Sequence, residues 1–143
     1  TGKDDIAWVE KAYGDSGFAA ATVAPYFPDM AARFRRADLA VSRAGATTCA
    51  ELIASGRPSL LVPFAAASEN HQEINARELE KAGGAEVLLE RDLTAEVLAA
   101  RILFYLGHRD ALARMAAGLA PLRTDGAAEG IAKLCFRLMA GEA

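Results

Sequence analysis

The sequence predicts an α/β domain built on a parallel, doubly wound sheet, and three observations carry that expectation. Short apolar segments of strand length alternate with stretches of helical periodicity. The connections between them are short, which in an alternating pattern means right-handed crossovers onto one sheet. Segment 59–64 is almost wholly apolar, and 38–42 is apolar enough to be buried on both faces, as strands covered by helices are.

Residues 1–5 are polar and turn-like. Ile6, Val9 and Tyr13 then recur at helical spacing, so a helix is expected from about 5 to 13, ended by Gly14 and Gly17. Residues 19–24 are small and partly β-branched and read as a strand. Two prolines remove donors and fix φ in 25–30, which therefore reads as a loop presenting Tyr26 and Phe27. Asp29 is placed to cap a short helix over 30–36. The strand 38–42 feeds a helix over 47–55, stopped by Gly56 and by Arg57-Pro58. Strand 59–64 leads through a loop at 65–68 into a helix over 69–82, which Gly83-Gly84 ends, and 85–90 is the last strand. Thr94 is positioned to cap a helix reaching about 106, with Val97, Leu98, Ile102, Tyr105 and Leu106 on its inner face. Asp110 opens a further helix to about 122, and 126–139 forms a final amphipathic helix carrying Ile131, Leu134, Cys135 and Leu138.

These strand candidates, followed by a helical tail, fall short of the roughly five or six strands of a doubly wound sheet. The chain also opens on a turn that feeds straight into a helix. Together these features predict that the first strand or strands of the sheet lie outside the chain.

At 143 residues the chain suits one domain able to bury a core. A net charge of −3 and a pI near 5.4, with no basic block beyond Arg33, Arg35 and Arg36, give nucleic-acid binding little support. The apolar runs fall far short of the roughly 20 residues that span a membrane, and no signal peptide is visible. Cys49 and Cys135 are too far apart to suggest a zinc site or a disulfide framework, so reduced thiols in the cytoplasm are the expectation. His71 and His108 are too isolated for a metal site, and His108 reads as a partner for a helix C-terminus.

Three stretches carry candidate chemistry. Arg43-Ala44-Gly45-Ala46-Thr47-Thr48-Cys49-Ala50-Glu51 is a strand–turn–helix junction. Such a helix start offers unpaired N–H donors to an anion, and in open α/β sheets ligands bind at the carboxyl ends of the strands. Thr48 with Glu51 also has the spacing of a capping box, which satisfies two of those donors internally. On the ligand reading Glu51 accepts hydrogen bonds from a sugar diol instead. Ser68 to Ala76 places donors and acceptors in the first turns of a second helix after a strand, either as a solvated face or as a second wall of one site. Tyr26-Phe27-Pro28-Asp29-Met30 offers aromatics for a planar base, or for core packing. No Gly-x-Gly-x-x-Gly occurs.

Taken together, these stretches resemble the MurG family, the bacterial peptidoglycan N-acetylglucosaminyltransferases. The resemblance runs from Thr1-Gly2-Lys3 through Tyr26-Phe27-Pro28-Asp29-Met30, Ala37-Asp38-Leu39, Arg43 to Thr48 with Glu51, and Gly56-Arg57-Pro58. It continues through Val62-Pro63, His71-Gln72 with Asn75-Ala76, and Leu79 to Gly84, and so covers nearly the whole chain in order.

The resemblance implies a Rossmann-like parallel sheet forming the C-terminal half of a GT-B glycosyltransferase, with a helical C-terminal tail. Residues 1–143 would be a single, partial UDP-sugar-binding domain. The parent enzyme would transfer N-acetylglucosamine, with inversion, from UDP-N-acetylglucosamine to lipid I. It would work at the cytoplasmic face of the bacterial inner membrane, without a cofactor or a nucleotide-coordinating metal. The loop at Phe27 would contact uracil through its backbone, with Tyr26 packing near the base and Met30 close by. Glu51 would bind the ribose hydroxyls, and Ala46, Thr47 and Thr48 would lie against the diphosphate and ribose. His71 and Gln72 would face the sugar, with Asn75 behind them; His71 falls where some members carry glutamine. The family's glycine-rich loop and its N-terminal domain, with the catalytic base, should precede Thr1, so this chain alone is expected to bind donor without catalysing transfer. The alternatives are another enzyme of GT-B shape, a sugar-nucleotide epimerase or lipid galactosyltransferase, and a non-catalytic nucleotide-sugar binding module.

Overall fold

A computed structural model describes residues 2–66, 70–124 and 126–141. The chain divides into two compact units, Thr1–Arg33 and Phe34–Ala143.

In the first unit, helix α1 (Ile6–Asp15) ends in a turn where Gly17 takes φ +73°, a left-handed conformation that glycine adopts without a Cβ penalty. None of its residues is buried, and Trp8 and Phe18 stand exposed. The strand expected over 19–24 is not formed. These residues join no sheet ladder, and small, partly β-branched composition cannot make a strand without a pairing partner. Helix α2 (Met30–Arg36) starts as expected, with the Asp29 carboxylate accepting the Ala32 N–H at 2.9 Å.

The second unit carries the sheet. Its elements are β1 (Ala40–Ser42), α3 (Ala46–Ser55), β2 (Ser59–Leu61), α4 (His71–Lys81), β3 (Ala85–Val87), α5 (Ala95–Gly107), α6 (Arg109–Leu119) and α7 (Ala127–Met139). Single 3-10 turns occupy Glu90–Asp92 and Ala120–Leu122. The strands are parallel in the order β1-β2-β3, with Ala40 beside Ser59 and Ser59 beside Ala85. Parallel neighbours in this order need crossover connections, and α3 and α4 supply them.

The central strand explains the two-sided core, because successive side chains of a strand point to opposite faces. Leu61 joins Cys49, Leu52, Ala76 and Leu79 of α3 and α4, whereas Leu60 joins Tyr105, Leu112 and Met115 of α5 and α6. Leu52, Leu60, Leu61 and Leu119 are fully buried, each contributing about 2 kcal/mol by transfer from water. The expectation that β1 is buried on both faces fails at Val41, which stays 45% exposed on an edge strand of this sheet. The last strand stops at Val87 rather than 90, since the chain there tightens into the turn at Glu90.

Local chemistry sets the helix ends. Gly56 takes φ +62° and closes α3, its N–H bonding Ile53 O while Arg57 N–H reaches back to Leu52 O. Arg123 adds a third bond there, donating through Nε to Ile53 O. Thr94 caps α5 by accepting from Val97 N–H. Of the inner face expected for α5, Tyr105 is buried and Leu98 and Ile102 pack on the core, but Val97 and Leu106 are exposed. Helix α6 ends at Leu119, short of the expected 122, where Pro121 tightens the chain into a 3-10 turn. His108 stands at the end of α5 with Nδ1 at 2.7 Å from Phe104 O, the helix-end partnership its position suggested. Helix α7 has the expected extent, yet Ile131, Leu134 and Leu138 are all exposed.

Candidate functional site

Two helix starts at the carboxyl edge of the sheet form the candidate site in the second unit. The first is the opening of α3. Ala44 is buried after β1, and Gly45 is the N-cap in an extended conformation, φ −63° and ψ 147°, with no side-chain cap. The capping box read from Thr48 and Glu51 is therefore absent. The helix begins at Ala46, which puts Thr48 inside the first turn, where its hydroxyl cannot serve as the N-cap acceptor. The first-turn N–H groups of Ala46, Thr47 and Thr48 consequently have no acceptor among the described residues. No acidic residue occupies that turn, so its positive end is uncompensated. Glu51 lies one turn further in, exposed, and its carboxylate makes no hydrogen bond or ion pair among the described residues. Cys49 and Leu52, on the opposite side, anchor the helix in the core.

The second is the opening of α4. The expected loop over 65–68 and start at 69 fall partly on 67–69, outside the described residues. Asn70 precedes the helix at φ +56°, the left-handed region that asparagine tolerates better than most residues. His71 is exposed at the first helical position. Gln72 Oε1 accepts from Phe64 N–H at 3.0 Å, and Asn75 Nδ2 donates to Ala44 O at 3.1 Å. The Asn75 bond is the link between the two helix starts: it grips the turn from which α3 departs. A shallow cavity of about 170 Å³, lined in part by Pro63, Phe64, Asn70, Glu73 and Glu90, lies beside the start of α4.

A further pair holds the strand ends together, and sequence reasoning passed over it. Arg43 donates through Nη1 to Val62 O and Pro63 O, both at 3.3 Å, and through Nη2 to Glu90 Oε1 at 2.7 Å. The other Glu90 oxygen accepts from Ala65 N–H at 3.2 Å. Arg43 above all, and then the Ala65 N–H, hold the Glu90 carboxyl below the usual glutamate range. The exits of all three strands are thus joined through two side chains. The one available signal was positional, since Arg43 directly follows the strand candidate 38–42 and Glu90 is the last residue of the candidate 85–90.

The remaining expected contacts belong to the first unit. Tyr26 is 74% exposed and Met30 stands exposed at the start of α2. Phe27 is half-buried, with the Arg33 guanidinium 3.6 Å from its ring centroid. Among the described residues, no group of three or more His, Cys, Asp or Glu side chains could hold a metal ion, and no helix is long and apolar enough to cross a membrane.

Residues 1–133 match the family model described as the glycosyltransferase family 28 C-terminal domain. A curated relative from Anaeromyxobacter sp. strain Fw109-5 is 47% identical over 139 residues, covering 97% of this chain and 36% of its own length. One from Syntrophotalea carbinolica is 42% identical over 135 residues, covering 94% and 38% respectively. Both bear the name UDP-N-acetylglucosamine–N-acetylmuramyl-(pentapeptide) pyrophosphoryl-undecaprenol N-acetylglucosamine transferase. The crystal structure of MurG from Acinetobacter baumannii superposes with a TM-score of 0.83 at 29% identity, over 93% of this chain and 40% of that one. The chain therefore spans just over a third of the length of the curated relatives it matches.

Proposed function

The chain belongs to the glycosyltransferase family 28 C-terminal domain family, and from that premise we propose that it is the donor-binding domain of an inverting N-acetylglucosaminyltransferase. Residues 1–143 form one such domain in this reading. The donor is UDP-N-acetylglucosamine, the acceptor lipid I and the product lipid II. The parent enzyme works peripherally at the cytoplasmic face of the bacterial inner membrane, and both the acceptor site and the catalytic base lie in parts of it other than these residues. The names of the curated relatives support the substrates.

The observation that carries the reading is the opening of α3, where the N–H groups of Ala46, Thr47 and Thr48, without an acceptor among the described residues, stand a turn away from the Glu51 carboxylate, which likewise has no partner among them. A diphosphate suits the first group, because oriented backbone donors and the helix dipole favour an anion. A ribose diol suits the second, because one carboxylate can accept two hydroxyl protons. Gln72 and His71, at the opening of α4, serve the sugar. Asn75 serves by holding the Ala44 turn, and Tyr26, Phe27 and Met30 serve the base.

In the reaction, the base removes the acceptor hydroxyl proton and the oxygen attacks the anomeric carbon from the face opposite the nucleotide. The bond from that carbon to the diphosphate oxygen breaks, and UDP departs with the electron pair. The charge that grows on the diphosphate is then met by the first-turn N–H groups of α3, a role that metal ions fill in other enzymes. Calorimetric titration of the chain with UDP and with ADP, in the presence of a chelator, tests the reading. UDP is expected to bind and ADP to bind far more weakly. Equal affinity for the two overturns the reading.

A further inference from the structure

Resting on the donor-site reading above, we infer that Glu90 is a positioning residue for the sugar end of the donor. It holds, together with Arg43, the strand exit that sets the Gln72 side chain.

The two oxygens of Glu90 serve different partners, Arg43 Nη2 at 2.7 Å and Ala65 N–H at 3.2 Å. The neighbouring amide, Phe64 N–H, donates to Gln72 Oε1 at 3.0 Å. Consecutive amides of one strand exit are thus held by side chains from two other elements, one from the turn after β3 and one from α4. Arg43 completes the hold from the end of β1 by donating to the carbonyls of Val62 and Pro63.

This arrangement fixes the polarity of Gln72. Its oxygen is committed to Phe64, so the NH₂ group is the end left for a ligand, and that end only donates. It therefore suits an oxygen acceptor, a sugar hydroxyl or the acetamido carbonyl. When Glu90 is removed, Ala65 N–H loses its acceptor and Arg43 its counter-charge. The 64–65 exit is then free to shift against α4, and Gln72 loses the bond that fixes which end of its amide faces outward.

An isolated exposed ion pair does little. Glu90 differs because its carboxylate receives two bonds at once, and bonds to an ionised acceptor are roughly twice as strong as neutral ones. A cavity of about 170 Å³, lined in part by Phe64, Ala65, Asn70 and Glu90, lies beside this exit.

The test measures affinity for UDP and for UDP-N-acetylglucosamine in the 143-residue chain, in Glu90→Ala and in Glu90→Gln. Glu90→Ala is expected to lower the preference for the sugar nucleotide over UDP about tenfold, the scale of one charge-assisted hydrogen bond. Glu90→Gln keeps a neutral acceptor for Ala65 N–H and is expected to keep that preference within about threefold. An unchanged preference in Glu90→Ala overturns the inference. So does a loss in Glu90→Gln as large as in alanine, because the acceptor it keeps for Ala65 N–H would then contribute nothing to the preference. A wild-type chain that shows no preference at all overturns the donor-site reading itself, and this inference with it.

Discussion

Gly118 in α6 is a position where one added methyl group would meet backbone rather than a side chain that can move. A Cβ built there lies 2.4 Å from Ala82 O, 2.9 Å from Gly83 C and 3.0 Å from Gly83 O, all backbone atoms of the turn after α4. Two effects oppose each other in Gly118→Ala. Alanine favours a helix interior over glycine by about 1 kcal/mol. Overpacking a closed contact costs typically about 1–3 kcal/mol, and a backbone obstacle puts this case at the upper end because no rotamer change relieves it. The net expectation is a loss of about 1–2 kcal/mol, or a fall in melting temperature of about 5 °C for a chain of this size. Gly130, inside α7, meets nothing within 4 Å, so Gly130→Ala isolates the helix term and should leave stability unchanged or raise it. Thermal and denaturant unfolding of both variants, with the denaturant slope checked against wild type, decides the matter. If Gly118→Ala proves as stable as wild type, the close approach of α6 to the turn after α4 is wrong.

Two shorter predictions follow from the same packing. Thr94→Ala removes the acceptor for Val97 N–H and should cost about 1 kcal/mol in denaturant unfolding, whereas Thr94→Ser should cost much less. Cys49 is buried and its thiol pushed up by that burial, while Cys135 is exposed, so an alkylating reagent at mildly alkaline pH should label Cys135 first. Mass spectrometry finding equal rates at the two would contradict the placement of α3.

The helices α3, α4 and α5 and the start of the central strand were legible from their apolar patterns, although β2 ends at Leu61, short of the expected 64. Gly56 followed by Arg57-Pro58 ends α3 where expected, and the run around Leu60 and Leu61 is buried on both faces as its composition implied. Residues 19–24 misled because strand-like composition does not supply a partner, and pairing is a tertiary property. The capping box misled for another reason. Thr48 and Glu51 have the right spacing, but the backbone turns at Gly45, three residues earlier, and the helix has already begun. At the site, the small-residue turn and Glu51 could be read directly, since they lie within one segment. The hold of Arg43 and Glu90 on the β2 exit could not. Those residues are 47 apart in sequence, and only the order β1-β2-β3 brings their strand ends into one row. The bonds from Gln72 to Phe64 and from Asn75 to Ala44 were hidden likewise, although both residues had been singled out for their polarity.

The central claim is that the opening of α3 receives a diphosphate while Glu51 receives the ribose, and the UDP titration extended to Glu51→Gln tests it most directly. Affinity for UDP should fall about tenfold, the scale of one hydrogen bond to a charged acceptor. Affinity for an analogue lacking the ribose hydroxyls should be weaker in wild type and nearly unaffected by the substitution. Equal losses for both nucleotides would contradict the claim and leave Glu51 as a surface residue of the helix.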